Sequence, residues 1–336
     1  MSIKTFVKCA CGWLYLNSAK GRRQLRERGV ILMLHRVVQD DASAELAHRN
    51  ELCVGAESFA GLLEWLREHF DCVPLMTLLD PPTAPRPGQR PPLALTFDDG
   101  WRDNAVHAFP LLRQYQVPAS IFLSTDYIDS RQRFWWESIG ETLWGSHGVA
   151  SINPLLTQLQ ALGRPVPASV LHSFSNEARS RVLAGFLQSL KSLPPAQLHA
   201  LTDACPLESL PQALDWHQVR QLEGSGLISF GPHGASHALL PGLSDEALHA
   251  ELSRSRVALQ EGCLQPLPVY CYPNGDHDAR VRRQVAAQQY RYALGTRAAV
   301  CAVNDDPLAL PRIGVSQRSA RHPSLLAWRM SRGVPA

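Results

Sequence analysis

The chain predicts an α/β protein built on a parallel sheet or barrel, and three observations predict it. Apolar runs of strand length recur at 30–34, 93–97, 119–123, 228–230 and 269–272. Segments with helical spacing separate most of them, and strand, helix, strand at short intervals is the signature of parallel pairing. Chemistry-bearing residues follow several of the runs directly, at the strand ends where such folds collect their sites.

Taken in order, 29–38 reads as a buried strand running into His35-Arg36. Residues 58–70 read as an amphipathic helix, capped by Ser58, with Phe59, Leu62, Leu63, Leu66 and Phe70 on one face. A short strand follows at 72–74. Six prolines within 81–92 mark an exposed loop, and the core strand 93–97 ends in Asp98-Asp99-Gly100. Asp103 or Asn104 is placed to cap a helix to about Gln116, kinked at Pro110, before the strand 119–123. Helical patterns then run at 136–145, 152–162, 176–191 and 195–204 with no strand among them, which predicts a helical insertion over 131–215 in one βα loop. The alternation resumes with helix 216–223 and strand 228–230. A helix capped by Ser244 carries Leu248, Leu252 and Leu259 on one face. Strand 269–272, helix 278–289, strand 290–294 and a last strand within 310–315 complete the chain.

The expected organisation is a basic amphipathic segment at 1–28, a catalytic domain at 29–320 containing the insertion, and a tail at 321–336. A length of 336 residues with 45% hydrophobic content suits one large or two modest globular domains. The net charge of +3 gives no reason to expect a nucleic-acid partner. The eight cysteines are irregularly spaced without Cys-x-x-Cys, which resembles neither a zinc-thiolate site nor a disulfide framework and fits a reducing compartment. No secretory signal or membrane span is read at the N-terminus. Phe6, Val7, Trp13, Leu14 and Leu16, followed by a basic run, leave two readings: a helix docked on the domain, or one resting on an anionic membrane surface. The expected location is cytoplasmic, at the inner face of the membrane if the second reading holds.

Two motifs carry chemistry. Leu95-Thr96-Phe97-Asp98-Asp99-Gly100 places two carboxylates at a strand end, where a turn that Gly100 permits can bring both to one pocket. His233-Gly234-Ala235-Ser236-His237 offers two imidazoles, which Gly231, Pro232 and Gly234 place in a loop rather than a helix. Together they suit a divalent metal with an open position: one carboxylate binds it, and the other is free to take a proton from the attacking water.

These residues resemble the polysaccharide deacetylases, the NodB-homology carbohydrate esterases. Thr96 to Gly100 is similar to their first motif and Phe230 to His237 to their second. Tyr270-Cys271-Tyr272-Pro273-Asn274-Gly275 resembles the third motif of one branch, as does Leu34-His35-Arg36-Val37. The resemblance implies a distorted (β/α) barrel and removal of N-acetyl groups from hexosamine units. It implies Asp98 as general base and Asp99, His233 and His237 as ligands of a metal, usually zinc. It also implies an oxyanion held by the metal and by a backbone N–H, for which the Tyr272–Gly275 turn is the candidate. The donor set alone also suits cobalt, nickel or iron.

The chain departs from the family pattern twice. The third motif lacks its usual arginine, and the late leucine-x-histidine motif that supplies a general acid is missing. Arg312 is the candidate to replace the orienting cation, and His35, at a strand end, the candidate to protonate the leaving amine. Trp101, beside the carboxylates, is expected to stack on a sugar ring, and Tyr272, Pro273 and Asn274 to contact substrate. His107 and His277 are expected on a helix and a loop surface. The substrate is expected to be a polysaccharide, or a lipid-linked or nucleotide-linked sugar. Removal of a formyl or O-acetyl group, and a non-catalytic sugar-binding protein, are the alternatives.

Overall fold

A computed structural model describes residues 3–49, 51–81, 89–145, 149–171, 175–206, 211–302 and 304–333. The proline-rich stretch at 82–88, the first two residues and the last three of the tail lie outside them.

The strands are β1 (Val30–Leu34), β2 (Arg36–Val38), β3 (Cys53–Gly55), β4 (Asp71–Cys72), β5 (Pro92–Phe97), β6 (Ala119–Leu123), β7 (Ile228–Pro232), β8 (Val269–Cys271), β9 (Tyr292–Leu294) and β10 (Ile313–Gly314). The main sheet runs β10-β1-β5-β6-β7, with β4 also pairing β5, and every pair is parallel. Leu267 N–H donates to Phe230 O beside β7, β8 pairs β9, and Leu294 bridges Leu310 on the approach to β10. The chain therefore curls toward closure without one continuous ladder, as a distorted (β/α) barrel. Nearly every residue of β1, β5 and β6 is buried, as befits parallel strands covered on both faces.

Several local expectations shift. The 29–38 strand breaks at His35, where β2 leaves the barrel to pair β3. The helix Ala56–His69 is capped at Gly55, not Ser58, because the Ser58 hydroxyl donates to Asp41 Oδ2 at 2.6 Å. Neither Asp103 nor Asn104 caps its helix through a side chain. Asp103 is drawn to Arg36 at 2.6 Å, Asn104 to His35 O at 3.0 Å, and a π-turn at Asn104–Ala108 precedes the helix Phe109–Tyr115. Ser244 does cap Asp245–Gly262, accepting from Ala247 N–H.

Between β6 and β7 the described residues are largely helical, with Trp135–Trp144, Val149–Ala161, Ala168–Leu171, Asn176–Leu190, Pro195–Asp203 and Trp216–Glu223, and hold no strand. Ile139, Leu155, Leu159, Leu183, Leu190 and Leu201 form a core there, separate from that of the barrel. At the N-terminus, the helix Ile3–Asn17 packs on Ser324–Arg332 through Gly12 and the buried Leu16, while Ile3, Phe6, Val7, Trp13 and Leu14 stay exposed. No described helix is long and apolar enough to cross a membrane. All eight cysteines are unpaired, and Cys53, Cys205, Cys263, Cys271 and Cys301 are buried.

Candidate active site

The C-terminal ends of four of the strands supply the site. His35 follows β1, Asp98 and Asp99 follow β5, His233 follows β7, and the Tyr272–Gly275 turn follows β8. His35, Asp98, Asp99, His233, His237 and Asn274 all line one cavity of about 1070 Å³.

Backbone geometry separates the two carboxylates. Asp99 takes a left-handed φ of 75° and Gly100 one of 81°, a reversal that turns both side chains inward. A side chain at Gly100 would meet Leu123 Cδ2 at 2.7 Å, so glycine is needed there twice over.

Asp98 faces Arg312. The guanidinium donates from Nη1 to Oδ1 and from Nη2 to Oδ2, both at 2.7 Å, and is fixed in turn by Gly295 O at 2.9 Å and Thr96 Oγ1 at 3.1 Å. Both partners are buried. Burial alone would raise the Asp98 pKa, but the charge and hydrogen bonds of Arg312 outweigh it and hold the carboxyl at about 2. Cys271 adds a thiol donor to Oδ1 at 3.4 Å, burial having raised its pKa well above the ordinary value. Oδ2 accepts only from Arg312 among the described residues, so it keeps a lone pair.

Asp99 faces the histidines. Its Oδ1 lies 3.4 Å from His233 Nε2 and 3.3 Å from His237 Nε2, and makes no well-formed hydrogen bond. His233 Nδ1 sits 3.0 Å from Cys271 O, which can only accept, so Nδ1 carries the proton and Nε2 turns its lone pair toward Asp99. Burial pulls His233 down to about 4 despite the nearby carboxylates, so the ring is neutral at pH 7. An orphaned carboxylate oxygen opposite imidazole lone pairs, all within 4.8 Å of one another, is a donor set that fits a divalent cation.

The structure moves three expected substrate contacts. Trp101 does not reach the cavity: it is 1% exposed, sandwiched between Phe134 and the Arg36 guanidinium, and its Nε1–H donates to Asp99 Oδ2 at 2.8 Å. Its indole holds the carboxylate instead of a sugar. Tyr272 is fully buried with its hydroxyl on Leu308 O at 2.8 Å, and Pro273 is buried against the Gly234 turn. In the turn, the N–H groups of Tyr272 and Gly275 are taken by Leu294 O and Tyr272 O, and Pro273 has none. Asn274, at φ 55°, retains an N–H with no acceptor among the described residues. The cavity's tryptophans are Trp135 and Trp136, the latter 4.9 Å from the His237 ring. His277 also lines the cavity rather than an open loop surface.

Sequence reasoning passed over three residues. Glu251 is buried and binds the histidine loop, accepting from Ala235 N–H at 2.8 Å, Ser236 N–H at 2.6 Å and Ser236 Oγ at 3.0 Å. Its signal was a carboxylate on the apolar face of Leu248, Leu252 and Leu259. Glu137 links the helical segment to Arg36 and Arg49. Lys191 reaches Asn274 Oδ1 at 2.8 Å from 83 residues away. No local pattern marks either of these two.

An α/β barrel whose strand ends join a buried aspartate–arginine pair to a carboxylate and two histidines that fit a divalent cation has the make-up of a hydrolytic site. A family model for polysaccharide deacetylases matches residues 86–293, and the chain belongs to that family. It is a carbohydrate deacetylase, a hydrolase of carbon–nitrogen bonds. No curated protein matches it. Among solved structures, IcaB from Ammonifex degensii is similar at 17% identity and TM-score 0.56, over 89% of this chain and 96% of that one. The Streptococcus pyogenes deacetylase PplD in complex with acetate is similar at 17% and 0.55, over 92% and 99%. A de-N-acetylase from Aggregatibacter actinomycetemcomitans is similar at 15% and 0.55, over 88% and 99%. At these identities the likeness is one of fold.

Proposed function

We propose that this enzyme removes N-acetyl groups from hexosamine units with the help of a divalent metal, zinc in first place, held by Asp99, His233 and His237. The observation that carries the reading is Asp99 Oδ1, buried without a partner and faced by two imidazole nitrogens. A divalent ion there would polarise the acyl carbonyl and acidify the attacking water.

The chain's own residues supply the rest. Asp98 takes the water's proton at Oδ2, the oxygen with a free lone pair, while Arg312 holds its plane fixed. The arginine that keeps Asp98 ionised also weakens it as a base, so the water must already be acidified. The Asn274 N–H is the candidate donor to the oxyanion. His35, at the end of β1 on the same cavity, protonates the leaving amine. A non-catalytic sugar-binding role is favoured by the two departures from the family pattern, the missing third-motif arginine and the missing late histidine motif; the paired bonds from Arg312 to Asp98 answer the first and count against it.

The substrate we favour is a glycan precursor on a lipid carrier, with the enzyme at the cytoplasmic face of a membrane. Support comes from the exposed Ile3, Phe6, Val7, Trp13 and Leu14 beside Lys4, Lys8 and Lys20, a surface suited to anionic lipid. The test is bound metal per chain together with acetate release, wild type beside His237→Ala. Near-stoichiometric metal and acetate, both lost in the variant, are expected. No metal after incubation with zinc would overturn the proposal.

A further inference from the structure

Lys191 follows the helix Asn176–Leu190 and reaches across the cavity to the third-motif turn. Its ammonium makes one hydrogen bond, to Asn274 Oδ1, and has no carboxylate within 4.0 Å among the described residues. Among the described residues no other lysine or arginine lines the cavity. A partly buried cation with two open donors is costly unless an anion completes it. Burial lowers its pKa, with Asp276 and Asp99 opposing from a distance, as expected for a charge without a close partner.

Part of the wall beside it is apolar. Leu187, Pro194 and Leu198 of the helical segment face the cavity together with Leu239, Pro241 and Leu243 from the loop beyond the histidines. At about 1070 Å³ the cavity slightly exceeds the roughly 300–1,000 Å³ usual for small-molecule sites, more than one acetamido sugar fills. The room left over has a cation at one point, hydrocarbon on the helical side and the carboxylates of Asp276 and Asp278 on the side of the third-motif turn, neither of them in contact with the ammonium.

We infer that Lys191 is a subsite for a phosphoryl group on the substrate, and that the apolar walls take the organic tail that the phosphoryl group carries. The substrate is then a phosphate ester of an N-acetylhexosamine. This rests on the deacetylase reading and narrows its substrate.

The test measures kcat/KM for acetate release by the full-length, metal-loaded enzyme from three compounds: an N-acetylhexosamine 1-phosphate, the same sugar on a short polyprenyl phosphate, and its neutral alkyl glycoside. A preference for phosphate esters of about tenfold or more is expected, since a charge-assisted hydrogen bond is lost with the neutral compound. The preference should fall to near unity in Lys191→Met and return in part in Lys191→Arg. The better of the two esters identifies the tail, lipid or none. Equal rates on ester and glycoside by the wild type would overturn the subsite and leave the deacetylase reading standing. Acetate from none of the three would overturn that reading. Calorimetric titration with the sugar phosphate then decides the subsite alone: affinity at least about tenfold weaker in Lys191→Met supports it, and equal affinity overturns it.

Discussion

The floor of the cavity and its helical wall are built from opposite materials. On the floor, Asp98 and Asp99 are almost completely buried, and fixed donors (Arg312, Trp101) hold three of their four carboxylate oxygens, leaving Asp99 Oδ1 for a cation. The wall carries Leu187 and Leu198 on helices with a core of their own, and Lys191, the one lysine or arginine lining it among the described residues, has no carboxylate in contact. Strand ends in a parallel barrel are locked by ladders on both sides, so they can hold reacting groups to fractions of an ångström. A helical layer attached at its ends can change its lining without disturbing that floor. The difference teaches that, on the proposed reading, reaction and substrate choice fall to separate parts of the chain.

Perturbing the floor should remove chemistry whatever the substrate. The largest effect is expected for Asp98→Asn: kcat falls by about 10²–10⁴-fold on every substrate while bound metal stays near the wild-type level. Loss of metal along with activity would show that Asp98 belongs to the ligand set instead. Next comes Trp101→Phe, which keeps the ring against Phe134 but deletes the N–H held by Asp99. Metal affinity should weaken by about 10–100-fold, read by competition with a chelator, because the indole N–H fixes the far oxygen of Asp99 and so the direction of the near one. Unchanged affinity would mean that the backbone alone fixes Asp99.

The smallest effect probes the joint between floor and wall. Burial pushes Glu137 up, but Arg36 and Arg49 outweigh it and hold the carboxyl at about 2. Burial draws His48, beside it, down to about 4. The depressed Glu137 pKa contributes stability that is complete above about 4.5 and lost as pH falls toward about 2. His48 acts in the same direction: between about 6.5 and 4 the unfolded chain binds a proton that the folded one refuses. Thermal stability should therefore fall on acidification from pH 6.5 downward. Glu137→Gln should remove the lower part of that slope, and His48→Gln should make the upper part shallower, His233 supplying the remainder. A wild-type profile flat from pH 6.5 to 4 would contradict the assignment of His48.

The alternation of strand and helix, the strand-end position of Asp98 and Asp99, and the loop form of His233–His237 were all determined by the sequence itself. Apolar periodicity, a glycine at a reversal, and glycines and proline around a histidine pair each act within a few residues. Arg312 could be nominated as a cation near a late strand, but its partner lies 214 residues earlier and is met only because β10 pairs beside β1. Trp101 was misplaced for the converse reason. Its neighbours in sequence are the carboxylates, yet its indole is directed by Phe134 and Arg36, which come from other elements. Glu251 and Lys191 acquire meaning only from the loop and turn they touch. Local forces decide which segments are strands and where a turn reverses. Which side chains then share a volume is decided by tertiary packing, because at a strand end the direction of a side chain follows one backbone angle and the residues that close around it.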